Sequence, residues 1–383
     1  MNPSVAPPIR GQGPRVLRRR TLARIGALAA AAALVLGACT GASSGVTPGP
    51  TANPAVTAAP GGSTSASIAP NPSPVASPSP SPTFPMTLTD DEHNQVVLKS
   101  EPHRIVSLTP AVTETLFAIG AGGRVAADGD FDDYPAQVKS LPHVATYSSV
   151  DVEKIVGLGA DLVIAGGNGF NKPTAVTQLR SLGVPVLVVY APNIAGVLAD
   201  VNLIGDAVGA SATARQLTAS MQAGIDTIRT ATGSLPHPRT FYELDATKDI
   251  YGPAPDSFLA QEIDYAGGDP ITTGDPALFS IPLEKLVAAD PQVIVLGDSA
   301  YGTTAAIVAA RPGWNTMTAV KDGAIEPIDD LVVSRPGPRL VEGLRLLALA
   351  IHPDLVLPSL APSGASQAPS TAPVAVPSGS ATP

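Results

Sequence analysis

The chain has 383 residues, with 41 prolines and 36 glycines, and a formal charge of −9. Six arginines and no acidic residue precede Cys39, so the remainder holds 17 basic against 32 acidic residues, a net −15. That balance argues against nucleic acid as a partner, because affinity for a polyanion comes largely from basic side chains near phosphates. A single cysteine excludes an intramolecular disulfide framework and any multi-cysteine metal site.

Residues 1–38 read as an export signal. Arginines lead into the apolar stretch Ile25 to Leu36, which is too short to span a bilayer comfortably. It ends in Leu36-Gly37-Ala38-Cys39, similar to the bacterial lipoprotein box, in which Cys39 would be acylated and become the first residue. Arg19-Arg20-Thr21 weakly resembles a twin-arginine signal, so the export route, Sec or Tat, stays open. Residues 39–83 are Pro, Ser, Thr, Ala and Gly almost throughout and lack apolar periodicity, which predicts a disordered tether. Residues 358–383 have the same composition and predict a disordered tail.

Residues 84–192 read as an N-terminal lobe. Met86 and Leu88, then Val96 to Leu98, flank a turn-rich stretch and predict an edge hairpin. Arg104 to Leu108 reads as a buried strand, and Thr109-Pro110 as the cap and first residue of a helix running to Ile119. Strands at Val125–Ala127, Leu162–Ala165 and Val186–Val189 alternate with helices, the pattern of an α/β fold with a parallel sheet. Residues 193–235 read as a helical connection. Within it Ala214, Leu217, Met221, Ile225 and Ile228 form one apolar stripe. A helix there of about 20 residues runs roughly 30 Å, enough to bridge two lobes.

A C-terminal lobe follows over residues 236–357, with strands at Arg239–Leu244 and Val293–Leu296 and a last helix at Leu340–Ile351. An internal repeat links the lobes. VEKIVGLGADLVIA from Val152 lies without a gap over LEKLVAADPQVIVL from Leu283, matching Glu153 to Glu284, 131 residues later. Each copy reads as a helix opening on an acid, followed by a buried strand.

With these elements in place the chain resembles the substrate-binding lipoproteins of bacterial ABC importers, in the subgroup that binds vitamin B12, haem or ferric siderophores. The resemblance spans about Pro102 to Pro353. It rests on the stretch from Arg104 to Gly120, on Asp133-Tyr134-Pro135, both glutamate helices, Ala266-Gly267-Gly268, and Ser334-Arg335-Pro336-Gly337-Pro338-Arg339. It implies the class III periplasmic-binding-protein fold: α/β, with two lobes each built on a mostly parallel sheet and joined by one long rigid helix. It also implies a monomer anchored outside the cytoplasm through Cys39, with no resident cofactor and no metal site of its own.

The resemblance implies that Glu153 and Glu284 dock on arginines of two permease subunits. Tyr134, Tyr147 and Tyr251 align with positions that line the ligand in the B12-binding members, while Tyr147 and Phe279 stand where those members carry Trp. The strand-end loops, with Asn168 and Phe170 among them, would form an interlobe cleft. A corrin or porphyrin wants such aromatic faces. Arg335, on a stiff Pro-Gly-Pro loop, reads as the ligand-facing guanidinium and Arg339 as the structural one. Glu114 belongs to the first-helix motif and would order the cleft floor. No nucleophile elbow, phosphate loop or zinc motif makes a case for catalysis. The ligand stays open between cobalamin, haem and an iron-siderophore, and an extracellular corrinoid-modifying enzyme or a non-transport sensor on the same fold remains the alternative.

Overall fold

The computed structural model describes residues 82–358 apart from Asn168. The export signal, Cys39, the tether as far as residue 81 and the tail from residue 359 lie outside the described residues.

The expected hairpin is β1 (Met86–Thr89) paired antiparallel with β2 (Gln95–Leu98). Alternation decides its facing: Val96 and Leu98 turn inward while Gln95 and Val97 face solvent. Asp90 in the turn is buried, accepts from Asn94 N at 2.7 Å, and is neutralised by Arg180 at 2.7 Å.

Five parallel strands follow: β3 (Ile105–Ser107), β4 (Val125–Gly129), β5 (His143–Ala145), β6 (Leu162–Gly166) and β7 (Val186–Val189), in the order β5-β4-β3-β6-β7. β3, β6 and β7 are buried along their whole length, as strands covered on both faces must be. The helices that cover them are α1 (Pro110–Ala118), α2 (Val152–Gly157), α3 (Pro173–Ser181) and α4 (Ile194–Ala207). After α5 (Ser211–Thr232) a second parallel sheet forms from β8 (Arg239–Glu243), β9 (Asp269–Pro270), β10 (Val293–Leu296) and β11 (Ile325–Pro327), in the order β11-β10-β8-β9. Its helices are α6 (Phe258–Tyr265), α7 (Leu283–Ala289), α8 (Ala305–Ala309), α9 (Thr318–Asp322), α10 (Asp330–Val333) and α11 (Leu340–Ile351). Strand order reverses between β3 and β6 in one sheet and between β8 and β10 in the other. At such points the connections leave in opposite directions and open a crevice beyond the carboxyl ends.

α5 is the bridge that its apolar stripe predicts. Ala214, Leu217, Met221, Ile225 and Ile228 are all buried. Two glycines let it lie close: a Cβ on Gly205 of α4 would come within 2.3 Å of the Ala214 Cβ, and one on Gly224 within 2.6 Å of a Val341 methyl on α11. At the start of α5 Arg124 donates to the Val208 carbonyl at 2.7 Å and pairs with Glu101 at 2.7 Å. At its end Arg229 lies 4.2 Å over the Tyr265 ring, and Thr232 Oγ1 donates to the Tyr265 carbonyl. The helix is therefore held by both halves. Gly224→Val is expected to lower stability by about 1–3 kcal/mol, because the α5–α11 contact has no room for a branched side chain; a urea midpoint equal to wild type would show that the contact yields.

The hairpin carries a pH-sensitive contact. Asp91 at its tip accepts from Tyr190 N at 2.6 Å and sits beside Asp200 of α4. Burial first, and the neighbouring Asp91 second, push the Asp200 carboxyl up to about 9. A carboxyl raised on folding contributes its stability fully below its unfolded value and loses it as pH rises through the folded one. The melting temperature is therefore expected to fall between about pH 4 and pH 9, and Asp200→Asn to flatten that decline.

Candidate functional site

The carboxyl ends of the N-terminal strands line a solvent-open recess of about 290 Å³. Leu108 and Pro110 reach it from the end of β3, Gly129 and Phe131 from β4, Ala145, Thr146 and Tyr147 from β5, and Phe170 from β6. Local bonding fixes these positions. Thr109 caps α1 by accepting from Val112 N, and Asn171 staples two strand ends, accepting from Gly166 N at 2.7 Å while its amide reaches the Leu108 carbonyl. Phe131 meets Tyr147 edge to face, with ring centroids 6.1 Å apart. Tyr147 is 85 % exposed, and Phe131, Tyr134 and Phe170 are also exposed. Large rings left in water beside a recess mark a surface awaiting something apolar.

The C-terminal half offers a matching set. Leu244 N donates to the Tyr251 carbonyl, Tyr251 N to the Asp245 carbonyl, and Gly252 N to the Phe279 carbonyl, all within 3.0 Å. This short ladder continues past β8 and carries Tyr251 and Phe279 out to the surface. Tyr301, beyond β10, is 86 % exposed.

Between the halves lies a charged joint. Glu114, on α1, is buried and receives Arg339 in a two-pronged bond, Nε to Oε2 at 2.9 Å and Nη2 to Oε1 at 2.7 Å. Arg335 Nη1 donates to the same carboxylate at 3.0 Å and also pairs with Asp133. The Arg339 guanidinium lies 4.6 Å over the Tyr134 ring, so Glu114 positions that tyrosine at one remove. Both arginines belong to the loop before α11, and both carboxylates to the N-terminal half. Arg335 and Arg339 thus both stand between the halves in ion pairs and share one carboxylate. Next to them Asp132 is buried, and its carboxyl rises to about 7, chiefly from desolvation and against a bond from Gly129 N.

Two further residues are placed. His143 Nδ1 bonds Asp128 Oδ1 at 2.7 Å at the base of β5. Trp314, the one tryptophan of the sequence, is buried in the C-terminal core beneath Arg311, which grips Glu243 through two bonds of 2.6 and 2.7 Å.

Glu153 and Glu284 open α2 and α7 and are both exposed. Asp151 caps α2 by accepting from Lys154 N, so Glu153 is not needed as the cap. Among the described residues neither glutamate forms an ion pair, and both project from the start of equivalent helices.

Residues 105–330, well over half of the chain, match the family described as Periplasmic binding protein. The chain belongs to that family. A relative from Bacillus subtilis, the uncharacterized ABC transporter substrate-binding lipoprotein YvrC, is 33% identical over 276 residues, 71% of this chain and 87% of the relative. A cobalamin-binding protein of Halobacterium salinarum is 32% identical over 281 residues, 70% of this chain and 75% of that one. Among solved structures, the periplasmic haem-binding protein RhuT of Roseiflexus sp. RS-1 superposes with a TM-score of 0.58 at 26% identity, over 66% of this chain and 98% of its own. The fold of this periplasmic binding protein, two parallel sheets with flanking helices, agrees with that resemblance.

Sequence reasoning singled out Tyr134, Tyr147, Tyr251, Phe279 and Arg335 as ligand contacts. The structure puts Tyr147 in the recess wall, Tyr134 under Arg339, and Tyr251 with Phe279 on one ladder. Phe131 and Tyr301 were missed. Each falls within about five residues of a predicted strand end, Phe131 after Val125–Ala127 and Tyr301 after Val293–Leu296.

Proposed function

We propose that this binding protein captures a metal chelate in the cleft between its halves and delivers it to an ABC permease. Cobalamin is the first ligand, with haem or a ferric siderophore as the other members of the class. The observation that carries the reading is the set of exposed aromatic rings at the carboxyl ends of both sheets, Phe131, Tyr134, Tyr147, Phe170, Tyr251, Phe279 and Tyr301. Rings in these positions can cover the faces of a macrocycle while backbone and carboxylate groups meet its polar rim. The cobalamin-binding relative supports this order of ligands.

Glu153 and Glu284 are the docking acids of this reading: exposed, unpaired carboxylates at helix starts steer a complementary basic partner and fix its register. Acylation of Cys39 would hold a monomer near that permease, with residues 39–83 as tether. The ligand is released unchanged. Calorimetry with cyanocobalamin, haemin and a ferric hydroxamate tests the assignment. Saturable binding of one of them, followed by its chromatographic recovery intact, is the expected result; heat from none of the three, or recovery of an altered product, would overturn it.

A further inference from the structure

The geometry points to Glu114 and Asp133 as the residues that set the charge of the ligand. By occupying both guanidinia of the cleft floor they select a chelate without net negative charge. This rests on the chelate-capture reading and says which chelates the same cleft accepts.

The argument begins with Arg335 and Arg339, whose side chains are only 11% and 15% exposed. An arginine in such a place is the natural partner for a propionate or a siderophore carboxylate. Here that capacity is already used. Glu114 has a side chain 1% exposed and pairs with both guanidinia, and Asp133 accepts from the same Nη1 of Arg335, so two carboxylates balance the two cations. A carboxylate on the ligand would therefore meet cations whose charge is already balanced, and would be desolvated there without a cation of its own. In the sequence of the strand-end loops acids outnumber bases: Asp130, next to Phe131, and Asp275, four residues before Phe279, are exposed, Lys248 falls between Asp245 and Asp249, and Lys172 is exposed at the start of α3. That balance disfavours an anion. Amide-rimmed or hydroxamate-rimmed chelates carry no such penalty, and their donors can bond the same acids.

Two matched pairs separate charge from shape. One is cyanocobalamin against the monocarboxylic acid obtained by hydrolysing one of its propionamides. The other is N-acetyl against N-succinyl ferrioxamine B. For whichever pair binds, the neutral member is expected to bind about tenfold more tightly, the equivalent of about 1.4 kcal/mol. In Glu114→Gln/Asp133→Asn, which frees the guanidinia, that ratio should shrink to about threefold or less. Asp133→Asn alone replaces a half-exposed side chain and should move the ratio in the same direction if the double variant does not fold. Equal affinity for both members in the wild type, or a ratio that the folded variants leave unchanged, would overturn the inference while leaving chelate capture standing. Binding of haemin, a dicarboxylate, with failure of all four compounds would overturn the inference and leave capture standing, whereas failure of all four and of haemin would remove the capture reading, and this inference with it.

Discussion

Replacing Glu153 and Glu284 together by alanine is expected to cut uptake to below about a tenth of wild type while leaving ligand affinity unchanged. Both side chains are exposed, and neither is used by its own half. Asp151 already caps α2, and the start of α7 is Pro282. Their loss therefore costs the fold little, about 0.3–1 kcal/mol each for the helix ends. A partner presenting arginines at the matching separation loses two charge-assisted contacts at once. Transport of labelled ligand into cells carrying the double variant, beside calorimetry on the purified protein, reads the two quantities separately. Uptake at the wild-type rate would end the docking assignment, whereas a parallel loss of binding would place these acids in the cleft. The single variants should each retain part of the uptake, because the two contacts lie on different halves.

The second large effect belongs to Glu114. Glu114→Ala leaves Arg335 and Arg339, both mostly buried, without the carboxylate that they share. Breaking a buried pair from one side costs about 3–5 kcal/mol, since the desolvated charge remains. Asp133→Ala removes an acid whose side chain is 47% exposed, and costs about 0–1 kcal/mol because solvent screens the exposed partner. Urea unfolding of the two variants should differ by a margin of that size. Glu114→Ala no weaker than Asp133→Ala would mean that the joint at the cleft floor is not held by this carboxylate. Arg339→Met in the Glu114→Ala background should recover part of the loss, as removal of an orphaned cation does.

The parts of this molecule that were legible in the sequence are those with a repeating signal. The stripe of α5, the continuous apolar runs of β6, β7 and β10, and the doubled glutamate helices each repeat a local preference over enough residues to stand out, and the structure has all of them. β5, β9 and β11 have two or three residues each, too few for alternation to be recognised, and they form because a neighbouring strand offers its free edge. The same limit governs the site. Tyr147 and Phe279 could be singled out because the resemblance sets them where the B12-binding members carry Trp. The sharing of Glu114 by Arg335 and Arg339 could not, because it joins positions 221 and 225 residues apart. Nothing local distinguishes an arginine that will meet a ligand from one that will meet a carboxylate of the opposite half.

The buried position of Trp314 has a practical consequence. The indole packs in the core of the C-terminal half with Arg311 over its face. Its fluorescence therefore reports whether that half is folded. In the ligand-free protein its emission should change only when the β8–β10 core opens, which gives an internal gauge of local melting in any cleft variant.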